Sequence, residues 1–208
     1  MKTFFKGIFW ILFFGAVITI IGRVFFFNIA KTNSYAMVPN LLPGDTFLVL
    51  TIGSLGPGDA ALCRDPENPG SMIVSRIMGV PGSTFAIRNN NPLVNGRVLH
   101  HQVEGEVMYE DNTGGEQTEF YIALATEKLA GTVFTVGFMD RAGDKNFDEY
   151  EVEEGFFLVG DNRNRTRDSR HFGEVAIEDC VGMPFLVIWP GPDSGDFQFM
   201  WRFLDWIH

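Results

Sequence analysis

Hydrophobic and polar positions divide the chain into one long apolar opening and a body of short runs. After Lys2 and Lys6, residues 7–22 carry no charge; Arg23 interrupts, and residues 24–27 are apolar again. A bilayer core takes about 20 apolar residues, and basic side chains near the ends of a span reach back to the interface. The pattern predicts one transmembrane helix from about residue 4 to residue 25, in contact with lipid. A cleavable signal peptide is the competing reading, but Asn28-Ile29-Ala30 is a poor match to the small residues wanted just before a cleavage site, which favours a retained anchor. Flanking charges barely decide the orientation, with Lys2 and Lys6 before the span and Arg23 and Lys31 after it. A cytoplasmic N-terminus is the reading adopted. It makes the chain a single-pass protein of the inner (plasma) membrane, with its bulk on the extracytoplasmic or periplasmic side.

From residue 31 the pattern changes to short runs of β type between turn signals. TFLVL (46–50), DAALC (59–63), MIVSRIMGV (72–80) and STFAIR (83–88) read as strands, separated by Pro43-Gly44-Asp45, Pro57-Gly58-Asp59 and Pro81-Gly82. LVNGRVL (93–99) places Asn95-Gly96 between apolar residues, a strong hairpin signal. GTVFTVGF (131–138), GFFLVG (155–160) and CVGMPFLVIW (180–189) read as later strands, and ALATEKLA (123–130) as one short helix. No repeat and no heptad pattern is present. The fold class expected is mainly β, a body of many short strands carrying an N-terminal helix and an inserted subdomain. The boundaries expected are 1–30 for the anchor, 31–100 and 156–208 for the β core, and 101–155 for the insertion.

Composition sharpens this picture in one place. Net charge is −10, yet residues 101–155 hold 14 Asp and Glu against 3 Lys and Arg, while the remainder holds 12 acids and 13 bases. A solvated insertion accounts for that segment. Nucleic acid is excluded as a partner, because phosphate binding requires clustered Lys and Arg. No His or Cys recurs at ligand spacing, so neither metal nor cofactor is expected. Cys63 and Cys180 leave two readings open, a disulfide in an exported domain or two buried thiols. Asp144, Asn146 and Asp148 alternate like the start of a calcium loop. Glu149 and Gly155 then stand where Gly and Glu belong, so a solvated acidic turn is expected. The aromatic segment FQFMWRFLDWI (197–207) is a candidate for contact with lipid.

Four segments carry chemistry in a recognisable order: SYAMVPNLLPGD (34–45), GPGDAALCRDPENP (56–69), SRIMGVPGS (75–83) and GDNRNRTRDSRHFGEV (160–175). Together they resemble the type I signal peptidases, membrane-anchored serine proteases of peptidase family S26 that remove signal peptides from exported proteins. The resemblance covers most of residues 32–100 and 150–190, and the ending RFLDWIH is similar to that of some members. It implies a β-rich body with an extended substrate groove near the membrane. It also implies an acyl transfer in which a Ser hydroxyl attacks and a neutral, buried Lys takes its proton.

Carried over residue by residue, the resemblance exposes two departures. The nucleophile box reads Ser-x-Ser-Met-x-Pro in the family. Ser34 matches its first Ser, implied to serve the oxyanion hole, and Met37 and Pro39 match the Met and Pro on the substrate-binding side. Ala36 replaces the nucleophile itself. In the general-base box Arg76, Gly79, Pro81 and Gly82 match, but Ser75 replaces the Lys. In the last box Thr166 keeps the hydroxyl that supports the base. Gly160, Asp161 and Asn162 match the structural turn, and Asp168 and Arg170 match a supporting acid–base pair. A methyl cannot attack, a Ser hydroxyl is a poor base near neutral pH, and the Arg76 guanidinium stays protonated. Loss of both members of the dyad points to a natural pseudoenzyme rather than an engineered knockout.

The function expected is a catalytically inactive relative that binds preprotein signal-peptide segments, alone or beside an active paralogue. One alternative is an active endopeptidase with rearranged residues, Ser34 attacking with the help of an unidentified base such as His171. If the loop were extended, the side chain of Ser34 would face the same way as that of Ala36. His171, however, follows Arg170 in a variable slot, and His100 and His101 read as surface residues beside the hairpin. The other alternative is a structural envelope protein that kept the fold and lost the groove.

Overall fold

The computed structural model describes residues 2–111, 118–139, 146–192 and 199–207. Helix α1 covers Lys2–Phe25. Among the described residues no helix is long and apolar enough to cross a membrane, so the anchor expected from residue 4 to 25 rests on its sequence. The rest is mainly β. A six-stranded sheet runs in the order β1(Phe27–Lys31), β2(Thr46–Leu50), β13(Cys180–Trp189), β3(Ala60–Arg64), β4(Met72–Gly79), β12(Phe157–Val159). A four-stranded sheet runs β11(Asn146–Glu151), β5(Thr84–Arg88), β6(Asn91–Val94), β7(Arg97–Val98), and a three-stranded sheet runs β10(Thr132–Phe138), β9(Thr118–Leu129), β8(Gln102–Asp111). Two short helices, α2(Ser169–Phe172) and α3(Phe199–Arg202), lie near the C-terminal end.

Alternation explains most strands. In β2 the side chains of Phe47 and Val49 are buried while their neighbours are half-buried, the period-two pattern of a sheet with one core face. Asn95 and Gly96 take positive φ (51° and 71°) in the two-residue turn between β6 and β7, which the twist of a hairpin favours. The main core forms where the sheets meet, with Met78, Phe85, Phe134, Val152 and Phe157 packed together. Phe85 and Phe157 stack at 4.8 Å.

Two expectations fail inside the acidic segment. ALATEKLA is not a helix but the end of β9. Ile122 and Ala125 are buried toward the core, and a bulge in the pairing opposite Val103 and Gly105 shifts the register beside them. Ala, Leu, Glu and Lys are helix formers, and pairing on both sides overrides that preference. The acidic turn is also corrected: its acids are exposed as expected, but on a strand. Asn146 and Asp148 sit on β11, paired with β5, and Phe147 and Tyr150 pack on the core. Asp144 lies outside the described residues.

Glu127 shows why β9 holds its place. Its carboxylate is fully buried and takes both guanidinium NH groups of Arg163 at 2.6 Å, while His101 Nδ1 lies 2.9 Å from Oε1. His101 is thus not a surface residue beside the hairpin; its ring is mostly buried. Burial pushes the Glu127 carboxyl up, and the charges of Arg163 and His101 outweigh burial and hold it low. Burial likewise pulls the His101 imidazole down, and the Glu127 carboxylate outweighs that and holds it above its ordinary value.

Cys63 and Cys180 sit opposite each other on β3 and β13, Cα atoms 3.9 Å apart, and form a disulfide. The thiol reading is thereby overturned. The bridge joins positions 117 residues apart, and closing so long a loop in the unfolded chain corresponds to about 5 kcal/mol in the chain-entropy model.

Two predictions follow from these ties. Cys63→Ala with Cys180→Ala is expected to lower unfolding stability by about 2–5 kcal/mol in urea titrations, with a matching loss for the wild type under reducing agent. Because the His101 pKa is raised by folding, its contribution is full below the unfolded value of 6.5 and is lost as pH rises through the folded value. His101→Gln should therefore flatten the decline in stability measured as pH rises above the unfolded value of 6.5.

Candidate active site

The nucleophile-box segment is a tight turn rather than an extended loop. Leu41 N–H donates to Met37 O at 2.9 Å and Val38 N–H to Tyr35 O at 3.2 Å, and the Val38–Pro39 peptide is cis. Ala36 N–H donates to Ser34 Oγ at 3.1 Å, a local hydroxyl-to-backbone turn. Since Ser34 Oγ accepts that bond, its own proton is free to point elsewhere.

A second loop closes onto this turn. Asn162 N–H donates to Ala36 O at 3.0 Å, and the Asn162 side-chain amide to Tyr35 O at 3.1 Å. Thr166 Oγ1 lies 2.5 Å from Asn162 O and 3.3 Å from Ala36 O. Gly160 makes the approach possible, because a Cβ there would collide with the Thr166 side chain and with Ala36 O. The loop is in turn held by Asp168. Its carboxylate accepts from Gly160 N–H at 3.0 Å and forms a two-pronged pair with Arg170 at 2.7 Å, while Arg170 also donates to Arg163 O at 2.9 Å.

The third part is β4. Successive residues of a strand face opposite ways, so Ser75 and Arg76 serve different sides. Arg76 is fully buried. It donates to both carboxylate oxygens of Asp161, at 2.7 and 2.6 Å, and to Gly58 O at 2.7 Å, and its guanidinium lies 4.0 Å from the centre of the Phe134 ring. Asn40 completes the cluster, donating to Asp161 at 2.7 Å and to Thr135 O at 2.7 Å. Ser75 faces the other way into a cavity of about 340 Å³. Its hydroxyl has no hydrogen-bond partner among the described residues.

That cavity brings Ser34, Ala36, Ser75 and Thr166 together. It does not include His171, which lines a neighbouring cavity with Arg163 and Arg170 and whose Nδ1 faces Asp168 N–H at 3.4 Å. Nor does it include Met37, which is buried in the core, or the half-buried Pro39. Among the described residues neither Lys nor His lines it. The acids there are Asp65 and Glu67. Asp65 accepts from Glu67 N–H at 2.9 Å, and Glu67 is joined to Arg167 by two contacts of 2.5 Å at the mouth. The Arg167 hydrogen bond holds the Glu67 carboxyl below its ordinary range, which makes it a weaker base. Asn40, Glu67 and Arg167 escaped the sequence reading. All three lie inside the quoted segments, but at positions no motif singles out, and the Glu67–Arg167 contact joins residues 100 apart.

The network predicts a specific cost. Arg76→Met leaves Asp161 buried with one side-chain donor, and removal of one partner of a buried pair typically costs about 3–5 kcal/mol. Chemical denaturation should show a loss of that order, larger than for Arg167→Met at the exposed mouth.

Comparison with known proteins identifies the family. Residues 5–189 match the family model described as signal peptidase, peptidase S26. Signal peptidase I of Streptococcus pneumoniae is 25% identical over 190 residues, covering 85% of this chain and 89% of that protein. Signal peptidase I of Aquifex aeolicus is 28% identical over 189 residues, covering 76% and 74%. A crystal structure of a signal peptidase I from Enterococcus faecalis overlaps 64% of this chain and 97% of its own at 23% identity, with a TM-score of 0.38. With a family match across most of its length, the chain belongs to the signal peptidases of family S26.

Proposed function

We propose that this chain is a catalytically inactive signal peptidase that binds extended preprotein segments in the cavity between Ser34 and Ser75. One observation carries the reading: the frame around the site is complete while the two reacting positions hold a methyl and an unpartnered hydroxyl. The Ser34 proton, left free by its bond from Ala36 N–H, is a donor for a peptide carbonyl, and the apolar walls Ile73 and Phe172 suit small side chains. A peptide entering as an added strand would take its main-chain hydrogen bonds from the loops around the cavity. Met37 and Pro39 then act on the substrate side only by shaping the turn.

We place α1 in the membrane. Ile8, Phe9, Trp10, Ile11, Leu12, Phe13 and Phe14 are all exposed, so apolar side chains cover its whole circumference there, which suits lipid better than water. The aromatic C-terminal segment continues this surface: Phe27, just after α1, contacts Phe185 at 5.8 Å, Phe185 contacts Trp206 at 5.9 Å, and Met200 and Trp201 are about four-fifths exposed. These rings would lie at the headgroup level. The disulfide supports a body that lies in an oxidising compartment, outside the cytoplasm.

The test is to put the reacting groups back. Wild type should leave a purified preprotein uncut, whereas Ala36→Ser combined with Ser75→Lys should cleave it. Position 75 is only 2% exposed, so the introduced amine would be held low by burial and cleavage should rise with pH. Turnover by the wild type, lost on Ser34→Ala, would sink the reading in favour of a rearranged enzyme. Failure of a signal-peptide segment to bind better than its scrambled version would remove the binding role.

A further inference from the structure

Two tight hairpin turns flank one cavity. Residues 95 and 96 close the β6–β7 turn, and Ala130 and Gly131, both at positive φ, close the β9–β10 turn. The Pro57-Gly58 turn presses against the second so closely that a Cβ on Gly58 would meet Leu129 O at 2.9 Å. Between them lies a cavity of about 760 Å³ that shares no lining residue with the Ser34 cavity.

Its floor and its rim differ in chemistry. The floor is apolar and belongs to the main core, formed by Val94, Leu99 and Leu129. Its ionisable side chains are Arg97, His100 and Lys128, all exposed, with no Asp or Glu among the lining residues. Among the described residues none of the three makes a side-chain hydrogen bond or ion pair. In a chain of net charge −10, a cavity lined by bases and no acids is a locally positive site.

We infer that this cavity binds a single-chain anionic amphiphile, with the chain on the Val94–Leu99–Leu129 floor and a carboxylate or phosphate head between Arg97 and Lys128. A small anion would leave the floor in water, and a neutral hydrocarbon would leave the bases without a partner, so the two surfaces together select a ligand having both parts. Arg97 and Lys128 stand on separate paired strands, β7 and β9, beside the two turns, so their backbone is already ordered before a ligand binds.

The experiment is calorimetric titration of the full chain in phosphatidylcholine nanodiscs with hexyl phosphate, hexanoate, hexanol and inorganic phosphate. Hexyl phosphate or hexanoate should bind saturably, at one per chain, and the tighter of the two assigns the head group. Hexanol and inorganic phosphate should each bind at least tenfold more weakly. Arg97→Gln with Lys128→Gln should weaken the anionic amphiphile at least tenfold while leaving the melting temperature in place, since both side chains are exposed. His100→Gln, a single exposed change, provides a second variant expected to weaken it less. No saturable binding to the wild type, or equal binding to wild type and double variant, would overturn the inference. So would equal affinity for inorganic phosphate and hexyl phosphate.

Discussion

Everything around the Ser34 cavity depends on one buried ion pair. Arg76 and Asp161 are both withdrawn from water, and each is satisfied several times over: Arg76 by Asp161, Gly58 O and the Phe134 face, Asp161 by Arg76 and Asn40. Such a pair is costly to desolvate and more costly to break, so it fixes geometry more than it adds stability. Here the geometry fixed is the meeting of β4, the Asn40 turn and the loop that begins at Gly160. Ser75, Ala36 and Thr166 ride on those three pieces. The Asp168–Arg170 pair repeats the device one layer out, and Glu127–Arg163 extends it to the three-stranded sheet.

Under the proposed reading, this arrangement explains how a site keeps its shape without its reaction. None of the framing contacts uses the side chain of residue 36 or 75. The Ala36 carbonyl and N–H are bonded as backbone, whatever the side chain. On the same reading, a Ser where a buried Lys would stand also removes the burden of holding an amine neutral in an apolar place. Strained and desolvated catalytic groups are often destabilising, so a frame relieved of them becomes easier to maintain.

The strands were legible where alternation and turn chemistry agreed, as in TFLVL and CVGMPFLVIW, whose limits coincide with β2 and β13. They were not legible where composition and pairing disagreed. ALATEKLA is written in helix-forming residues, and only its neighbours across β8 and β10 make it a strand. β1 hides in a phenylalanine-rich run that reads as a continuation of the helix, and β11 hides behind its charge. At the site, the boxes placed Ser34, Ala36, Ser75 and Thr166 in sequence, but their convergence on one cavity is a fact of three dimensions. Glu67–Arg167 and His101–Glu127 are long-range contacts between residues that look like ordinary surface charges.

The disulfide gives the molecule a sense of timing. It fastens β3, the immediate neighbour of the strand bearing Ser75 and Arg76, to β13 from the other end of the chain. Cys180 is made 117 residues after Cys63, so that clasp cannot close until the strands between them have been made, nor in surroundings that keep thiols reduced. A chain of this design is soft at birth and stiffens on arrival. Its cavity is then best formed in the compartment where an exported segment would reach it.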